Sequence, residues 1–469
     1  PRVQPSQALR TPSQHRPLAP PGPRLALLLR GMALPPTPEK KRRKANEGAK
    51  KAKQGNGDVE KAQKDAPASA AKGGKKKRRK EKAGKAANTG EELSTTQERN
   101  ARKRASKKRA REVASADPSM LYAANPLLAP TVLAATRFFE GALWSESFEV
   151  HLGPVQGWRT EAKLAVRAGK DGLQIGLFAP GTHEVCCIDT CPAHHPAINR
   201  AVTKVRKACE DLGVSGYSEH TGKGDLRYLK LDVERATGKV QLTMVWHAAS
   251  EEAAGARLKA LVQRLSTMPL WHSIWANFHP AVSYVSRIFA FESDAWKPLW
   301  GAKEMLRERL KGCLVPYDAP RLCFPPYVFR QANLCAFEKI VASLRRFVAP
   351  GSRVVELYGG VGTIGLHLAD LVESLVCSDE NPHNEVCFCT STADLPTKLR
   401  RRLSYLRGAA ATQIGSLSLA DVLIVDPPRK GLDEEVVAAL LPGGVAAQLR
   451  LVLYVSCGFP ALQRDVGRL

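Results

Sequence analysis

Apolar residues alternate with polar ones over 162–166 and 173–177, on either side of a Gly/Lys/Asp turn. They alternate again over 226–233 and 239–246, which flank Ala236-Thr237-Gly238. Period-two alternation predicts half-buried strands, and the short glycine-containing turns predict hairpins. Helical spacing over 197–212 and 252–265 adds two helices, so the middle of the chain is expected to be an α+β unit with much antiparallel pairing. Beyond residue 350 the pattern changes to short, mostly apolar runs at 353–357, 375–377, 402–406, 422–425 and 451–455, with helical stretches between them, the first at 366–372. Short apolar strands alternating with helices predict an α/β domain with a doubly wound parallel sheet, whose ligands sit at the carboxyl ends of the strands.

Before residue 115 there is no periodicity, and charge explains why. The 469 residues carry 71 Lys+Arg against 45 Asp+Glu, a net charge of +26, and the first 112 residues hold 32 basic and 10 acidic side chains, a net +22. Residues 1–38 contain ten prolines, Arg2, Arg10, Arg16, Arg24 and Arg30 and no acid, the bias of an organelle transit peptide or of translated leader sequence. Lys/Arg blocks follow at 40–44, 75–80 and 102–111; such blocks bury little, stay disordered and attract polyanions without base specificity. Three regions result: a disordered basic arm at 1–114, an α+β region at 115–325 and an α/β domain at 326–469. The acid-free opening points to a plastid, the Lys/Arg blocks to a nucleus or nucleolus. Residues 113–469 are close to charge balance, which excludes a uniformly basic, histone-like protein.

No apolar run approaches the ~18 residues of a membrane span. Eleven cysteines, all between Cys186 and Cys457, read as reduced thiols rather than a disulfide framework. Cys186, Cys187, Cys191, His194 and His195 form a tempting cluster, but no second cysteine pair follows at metal-finger spacing. They are read as small buried or loop residues, and no metal is expected.

The chemistry concentrates at four predicted strand ends. The strand at 353–357 runs through Glu356 and Leu357 into Tyr358 and Gly359-Gly360-Val361-Gly362-Thr363-Ile364-Gly365, a glycine loop that lets the backbone approach a nucleotide. The strand at 375–377 ends in Ser378-Asp379-Glu380, where an acid can accept hydrogen bonds from ribose hydroxyls. The strand at 422–425 runs into Asp426-Pro427-Pro428-Arg429, whose prolines stiffen the turn. The last strand ends in Ser456-Cys457-Gly458, where a thiol has the position of a nucleophile. A glycine loop alone does not separate S-adenosylmethionine from NAD, but nothing here suggests a hydride-transfer site.

With these residues the sequence resembles the S-adenosylmethionine-dependent uracil-C5 RNA methyltransferases, which make 5-methyluridine in transfer and ribosomal RNA. Phe329-Arg330-Gln331-Ala332-Asn333 is similar to that family's F-x-Q-x-N segment, which implies that Gln331 contacts the cofactor. Residues 356–362 resemble its D-L-[FY]-x-G-x-G loop, implying cofactor contacts at Glu356, Tyr358, Gly360 and Gly362, and Asp379 matches the acid that holds the ribose. Asp426 to Arg429 match its DPPR motif, implying that Asp426 meets the cofactor and the target uracil, and Cys457 matches its nucleophile. Segments 157–163, 191–196 and 224–228 are similar too. The likeness runs from Gly157 to the end and is closest to plant and algal members. It implies a class I methyltransferase domain, S-adenosylmethionine as cofactor, a tRNA or rRNA substrate and a monomer.

The departures set further expectations. Ser-Cys-Gly stands where most of the family has Ser-Cys-Asn-Pro. No cysteine precedes Cys186, so the iron–sulfur cluster of some members is not expected. An N-terminal oligonucleotide-binding barrel is not recognisable either, and the basic arm stands in its place. The family's general base is a Glu on a strand well beyond the nucleophile, whereas the chain ends at Leu469; it also begins with Pro, Met32 being a candidate initiator. The sequence is therefore expected to be a fragment of a longer product. Two other readings remain: a catalytically inactive RNA-binding homologue, and a cytosine-C5 RNA methyltransferase, which would present Pro-Cys after its acidic motif where this chain has Pro-Pro-Arg.

Overall fold

The computed structural model describes residues 24–29, as backbone, and 120–469, apart from 121, 142–147, 170–171, 180–181, 189, 283–286 and 302–304. The Lys/Arg blocks lie outside the described residues. The chain order opens with β1 (Arg24–Leu29) and α1 (Pro130–Gly141), then β2 (Glu161–Gly169), β3 (Gly172–Phe178), β4 (Val185–Cys187), α2 (Pro196–Asp211), β5 (Leu226–Val233), β6 (Val240–Trp246), α3 (Glu251–Ser266), β7 (Trp271–Phe278) and β8 (Trp296–Gly301). Strands β2 to β8 form one sheet in the order β4-β3-β2-β5-β6-β7-β8, antiparallel except for the β6–β7 pair.

This sheet has one apolar face. Leu229, Leu231 and Val233 of β5 are fully buried against α2 and α3, while Lys230 and Asp232 point to the other side, as strand alternation requires. Helix α2 supplies Ala197, Ile198, Ala201, Val202, Val205, Ala208 and Cys209 to the same core at three- and four-residue spacing. Its start is set by Pro196 at the first turn and by the His195 ring, whose nitrogen accepts the Ala197 amide at 3.3 Å.

The short pair β9 (Arg307–Glu308) and β10 (Leu322–Cys323) leads into α4 (Leu334–Phe347), β11 (Ser352–Leu357), β12 (Val372–Asp379), α5 (Asn384–Thr392), α6 (Thr397–Arg400), β13 (Leu403–Arg407), β14 (Val422–Val425), α7 (Glu434–Leu440), β15 (Leu451–Ser456) and α8 (Phe459–Val466). The second sheet is wholly parallel, in the order β1-β15-β14-β11-β12-β13. All four residues of β14 are buried, because a parallel sheet is covered on both faces. One of its cores takes in Leu306, Leu310, Leu322 and Phe324, and the other takes in Ala135 of α1, so both segments pack with the C-terminal sheet.

The expected architecture, an α+β unit followed by a doubly wound domain, is present. Two elements differ. Arg24–Leu29, expected within a disordered arm, is the edge strand β1 beside β15, because its run of apolar residues matches the apolar β15 it pairs with. The helix expected over 366–372 is a single 3-10 turn, Gly365–His367, and Val372 already belongs to β12. Leu366, His367, Leu368 and Ala369 are all fully buried, so this segment has no polar face to give solvent, and no side chain caps its start. The glycine loop therefore leads into a buried turn rather than a helix with free amides. Among the described residues no helix is long and apolar enough to cross a membrane, and none of the eleven cysteines is in a disulfide.

Candidate active site

Strand β11 delivers the glycine loop. Tyr358 follows it in left-handed backbone, φ 58°, a conformation costing about 1–3 kcal/mol for a residue with a side chain. Two hydrogen bonds hold it there: the hydroxyl donates to Asp433 Oδ2 and accepts the Asp433 amide, both at 3.0 Å. Tyr358 thus fastens the glycine loop to the segment after the DPPR turn. Gly360 and Gly362 are also left-handed, and a Cβ on Gly362 would lie 2.3 Å from the Phe388 ring. On Gly360 a Cβ would meet nothing within 4 Å, so the backbone is open on that side.

Asp379 ends β12 beside this loop. Its Oδ2 accepts the Gly360 amide at 3.0 Å, and its Oδ1 accepts the Asn381 amide and Asn384 Nδ2, each at 2.9 Å. The Tyr405 hydroxyl donates to the Gly360 carbonyl at 2.9 Å. An ordered carboxylate beside an open stretch of backbone fits the ribose and close approach of a nucleoside cofactor. Glu356 is turned inward: it is 1% exposed, accepts the Gly365 amide at 3.0 Å and takes a hydrogen bond from the Cys377 thiol. It shapes the loop from beneath. Burial pushes its carboxyl up to about 7.

Strands β14 and β15 bring up the second group. Asp426 is half-buried, Pro427 is buried, and Pro428 and Arg429 are exposed. Cys457 is half-buried, one residue past β15. The next residue explains the Gly at that position: a Cβ on Gly458 would stand 3.0 Å from the Arg429 carbonyl oxygen and 3.4 Å from its Cα. The Cys457 turn therefore packs on the backbone of Arg429, and Ser456 Oγ accepts the Gly458 amide at 3.1 Å.

Gln331 is half-buried, and among the described residues its side chain makes no hydrogen bond to either group. Its neighbours anchor it. Arg330, 1% exposed, donates to the carbonyls of Thr160 and Val233 at 3.2 and 2.7 Å and to Glu308 Oε2 at 2.8 Å, and Asn333 caps α4 through the Ala336 amide at 3.0 Å. The 157–163 and 191–196 segments lie together: Gly157 donates to the Pro192 carbonyl and His195 to the Arg159 carbonyl, both at 2.8 Å. Cys191 is buried, with its backbone clamped by Asn199. Burial holds the His195 pKa below its ordinary value, with Arg200 and Arg330 adding to the effect. Among the described residues no three His, Cys, Asp or Glu side chains are grouped to hold a metal ion.

Sequence reasoning missed Arg330, Asp433 and Asp465. Asp465, fully buried on α8, accepts the Leu432 amide and the Tyr454 hydroxyl, tying the DPPR segment to β15. A charged residue amid an apolar helix face was the available signal.

A parallel sheet with a glycine loop, an acid and a DPPR turn at the carboxyl ends of successive strands defines a class I S-adenosylmethionine-dependent methyltransferase fold. The tRNA (uracil-54, C5)-methyltransferase of Pyrococcus abyssi, solved with S-adenosyl-L-homocysteine, shares it at a TM-score of 0.51 and 23% identity over 67% of this chain and 70% of that one. No family model matches the chain. An uncharacterized RNA methyltransferase of Protochlamydia amoebophila is 36% identical over 341 residues, 70% of this chain and 85% of that protein, so the chain belongs to this RNA methyltransferase family. Uncharacterized RNA methyltransferases of Synechocystis and Geobacter sulfurreducens are 28% and 27% identical over 66% of this chain, which spans 63% and 59% of their lengths.

Proposed function

We propose that this chain transfers a methyl group from S-adenosylmethionine to C5 of a uridine in tRNA or rRNA, with Cys457 as nucleophile. The observation that supports the reading is the packing of the turn after Cys457 on the backbone of Arg429, which brings the half-buried Cys457 and the Asp426–Arg429 segment to the carboxyl ends of the adjacent strands β15 and β14. The substrate base of the Pyrococcus abyssi enzyme supports the choice of atom.

Gln331, Tyr358, Gly360, Gly362, Asp379 and Asp426 would hold the cofactor, with Glu356 supporting the loop from below. When bound, it supplies an electrophilic methyl carbon. Uracil C5 is a weak nucleophile; addition of the Cys457 thiolate to C6 moves the C5–C6 π electrons towards O4 and makes C5 reactive. Once C5 carries the methyl group, loss of its proton to a base expels the thiolate and restores the double bond. Arg429 and Asp426 offer a cation and a carboxylate to the edge of the uracil. The base must leave its stack to reach the thiol, which suits a loop or single strand of RNA. The Lys/Arg blocks would add attraction without sequence preference.

RNA tritiated at uridine C5 tests this reading. Incubation with S-adenosylmethionine is expected to release tritium to water together with formation of 5-methyluridine. Methylation of cytidine, or of uridine without tritium release, would overturn it.

A further inference from the structure

The segment between β10 and Gln331 is fastened to the seven-stranded sheet at three points. Gln241 of β6 donates to the Phe324 carbonyl and Lys230 of β5 to the Pro326 carbonyl, each at 3.2 Å. One carboxylate holds both donors: Asp232 Oδ2 accepts Lys230 at 2.9 Å and Gln241 Nε2 at 3.3 Å. All three side chains are buried, so water does not compete for these bonds. Pro325 and Pro326 have a fixed φ, which stiffens the stretch between the two fastened carbonyls. The third point is the Tyr327 ring, which stands edge-on to Trp275 of β7 and Trp296 of β8, with centroids 6.2 and 5.9 Å away.

Tyr327 also meets the turn that follows Asp379. Its carbonyl accepts Asn381 Nδ2 at 3.2 Å, and the His383 ring lies 4.5 Å from its own ring. Asn381 in turn aims the carboxylate. Its amide donates to Asp379 Oδ1 at 2.9 Å, and its Oδ1 accepts the His383 amide at 3.0 Å, closing the turn. A carboxylate at a strand end recognises a sugar only if its direction is fixed before the ligand arrives. The loop supplies part of that constraint, and Tyr327 ties the rest to a rigid sheet.

We propose that Tyr327 is a positioning residue for the cofactor ribose: through Asn381 and His383 it fixes the turn that aims Asp379. The inference rests on the assignment of Asp379 to the ribose made above. It makes recognition of the sugar depend on strands β5 to β8, which lie outside the sheet that carries Asp379.

The test compares binding of S-adenosyl-L-homocysteine and of its 2′,3′-dideoxyribose analogue to the whole chain by calorimetry. The native chain is expected to bind the hydroxylated ligand about tenfold more tightly or better, the worth of a hydrogen bond to a charged group, and Asp379→Ala to abolish that ratio. Tyr327→Leu and Asn381→Ser are each expected to reduce the ratio to about twofold, whereas Tyr327→Phe, which keeps the ring, retains the native value. A merely structural role would weaken both ligands equally. An unchanged ratio in Tyr327→Leu and Asn381→Ser, with the ratio lost in Asp379→Ala, therefore overturns the proposal and leaves the Asp379 assignment standing. His383 is exposed, so His383→Ala serves where Tyr327→Leu fails to fold: a lowered ratio supports the proposal and an unchanged one overturns it. A native chain that binds neither ligand or both equally, or an Asp379→Ala chain that still distinguishes them, overturns the ribose assignment itself.

Discussion

The Tyr454 hydroxyl donates a 2.8 Å hydrogen bond to Asp465 Oδ2, joining the strand that leads to Cys457 to the helix that follows it. The same oxygen accepts the Leu432 amide at 2.8 Å, three residues beyond Arg429. One buried carboxylate therefore fixes the strand before Cys457 and the DPPR segment to each other. Asp465→Asn is expected to cost about 1.5–3 kcal/mol of stability, the range for hydrogen bonds to a charged group, and to lower kcat more than it raises KM. Urea denaturation and single-turnover rates check this; a destabilised variant with unchanged kcat would show that the link does not position Cys457.

Gly458 has a reason that does not involve φ. Gly458→Ala places a Cβ 3.0 Å from the Arg429 carbonyl, so either the backbone gives or the thiol moves. A loss of about 1–3 kcal/mol, typical of overpacking, is expected with a several-fold fall in adduct formation. Thermal unfolding and adduct kinetics read the two effects separately.

Arg330 clamps the middle sheet to the segment that carries Gln331. Its guanidinium and Glu308 are both buried, and Glu308 also pairs with Arg235 at 2.8 Å. Arg330→Met therefore removes one of two cations from that carboxylate and a donor from the Thr160 and Val233 carbonyls, at a cost of about 1.5–3 kcal/mol, the range for hydrogen bonds to a charged group. Denaturant titration checks it: Arg330→Lys, which keeps the charge, is expected to lose less than Arg330→Met, and equal losses would contradict the electrostatic part of the argument.

Glu356 and His367, at opposite ends of one buried loop, place opposite demands on pH. Burial raises the Glu356 pKa from 4.5 to about 7, so between these values the folded state keeps a proton that the unfolded chain has released. Stability from this group falls as pH rises through that window. Burial lowers the His367 pKa from 6.5 to about 4, so there the unfolded chain binds a proton that the fold excludes, and stability rises with pH. At ~1.4 kcal/mol per pH unit the two slopes nearly cancel where they overlap. Relative to the native chain, Glu356→Gln should tilt stability upward with pH between about 5 and 6.5, and His367→Gln downward, by on the order of 1–2 kcal/mol. Denaturation at both ends of the window decides; tilts of the same sign would contradict the assignment.

Much of this architecture was legible in the sequence because period-two and all-apolar runs report burial directly. The strand at 226–233 lies where alternation put it, and 422–425 does too, being apolar on both faces. The 366–372 segment was misread because a short apolar stretch after a glycine loop looks the same whether it becomes a helix or a buried turn; what separates them is packing around Leu366 and Leu368, which sequence does not show. The strand-end residues were legible because Asp379, Asp426 and Cys457 each follow an apolar run. Asp433 and Asp465 were not, since their partners lie across the fold: Tyr358 is 75 residues from Asp433.

The central claim is that Cys457 attacks C6 of a uridine. Intact-mass analysis of the chain incubated with S-adenosylmethionine and RNA containing 5-fluorouridine tests it most directly, because fluorine at C5 blocks the proton loss that would release the base. The expected result is a covalent species with the mass of chain, RNA and one methyl group, whose modified peptide contains Cys457 and which disappears in Cys457→Ala. A native chain that yields no such species, or an adduct that persists in Cys457→Ala, would contradict the account.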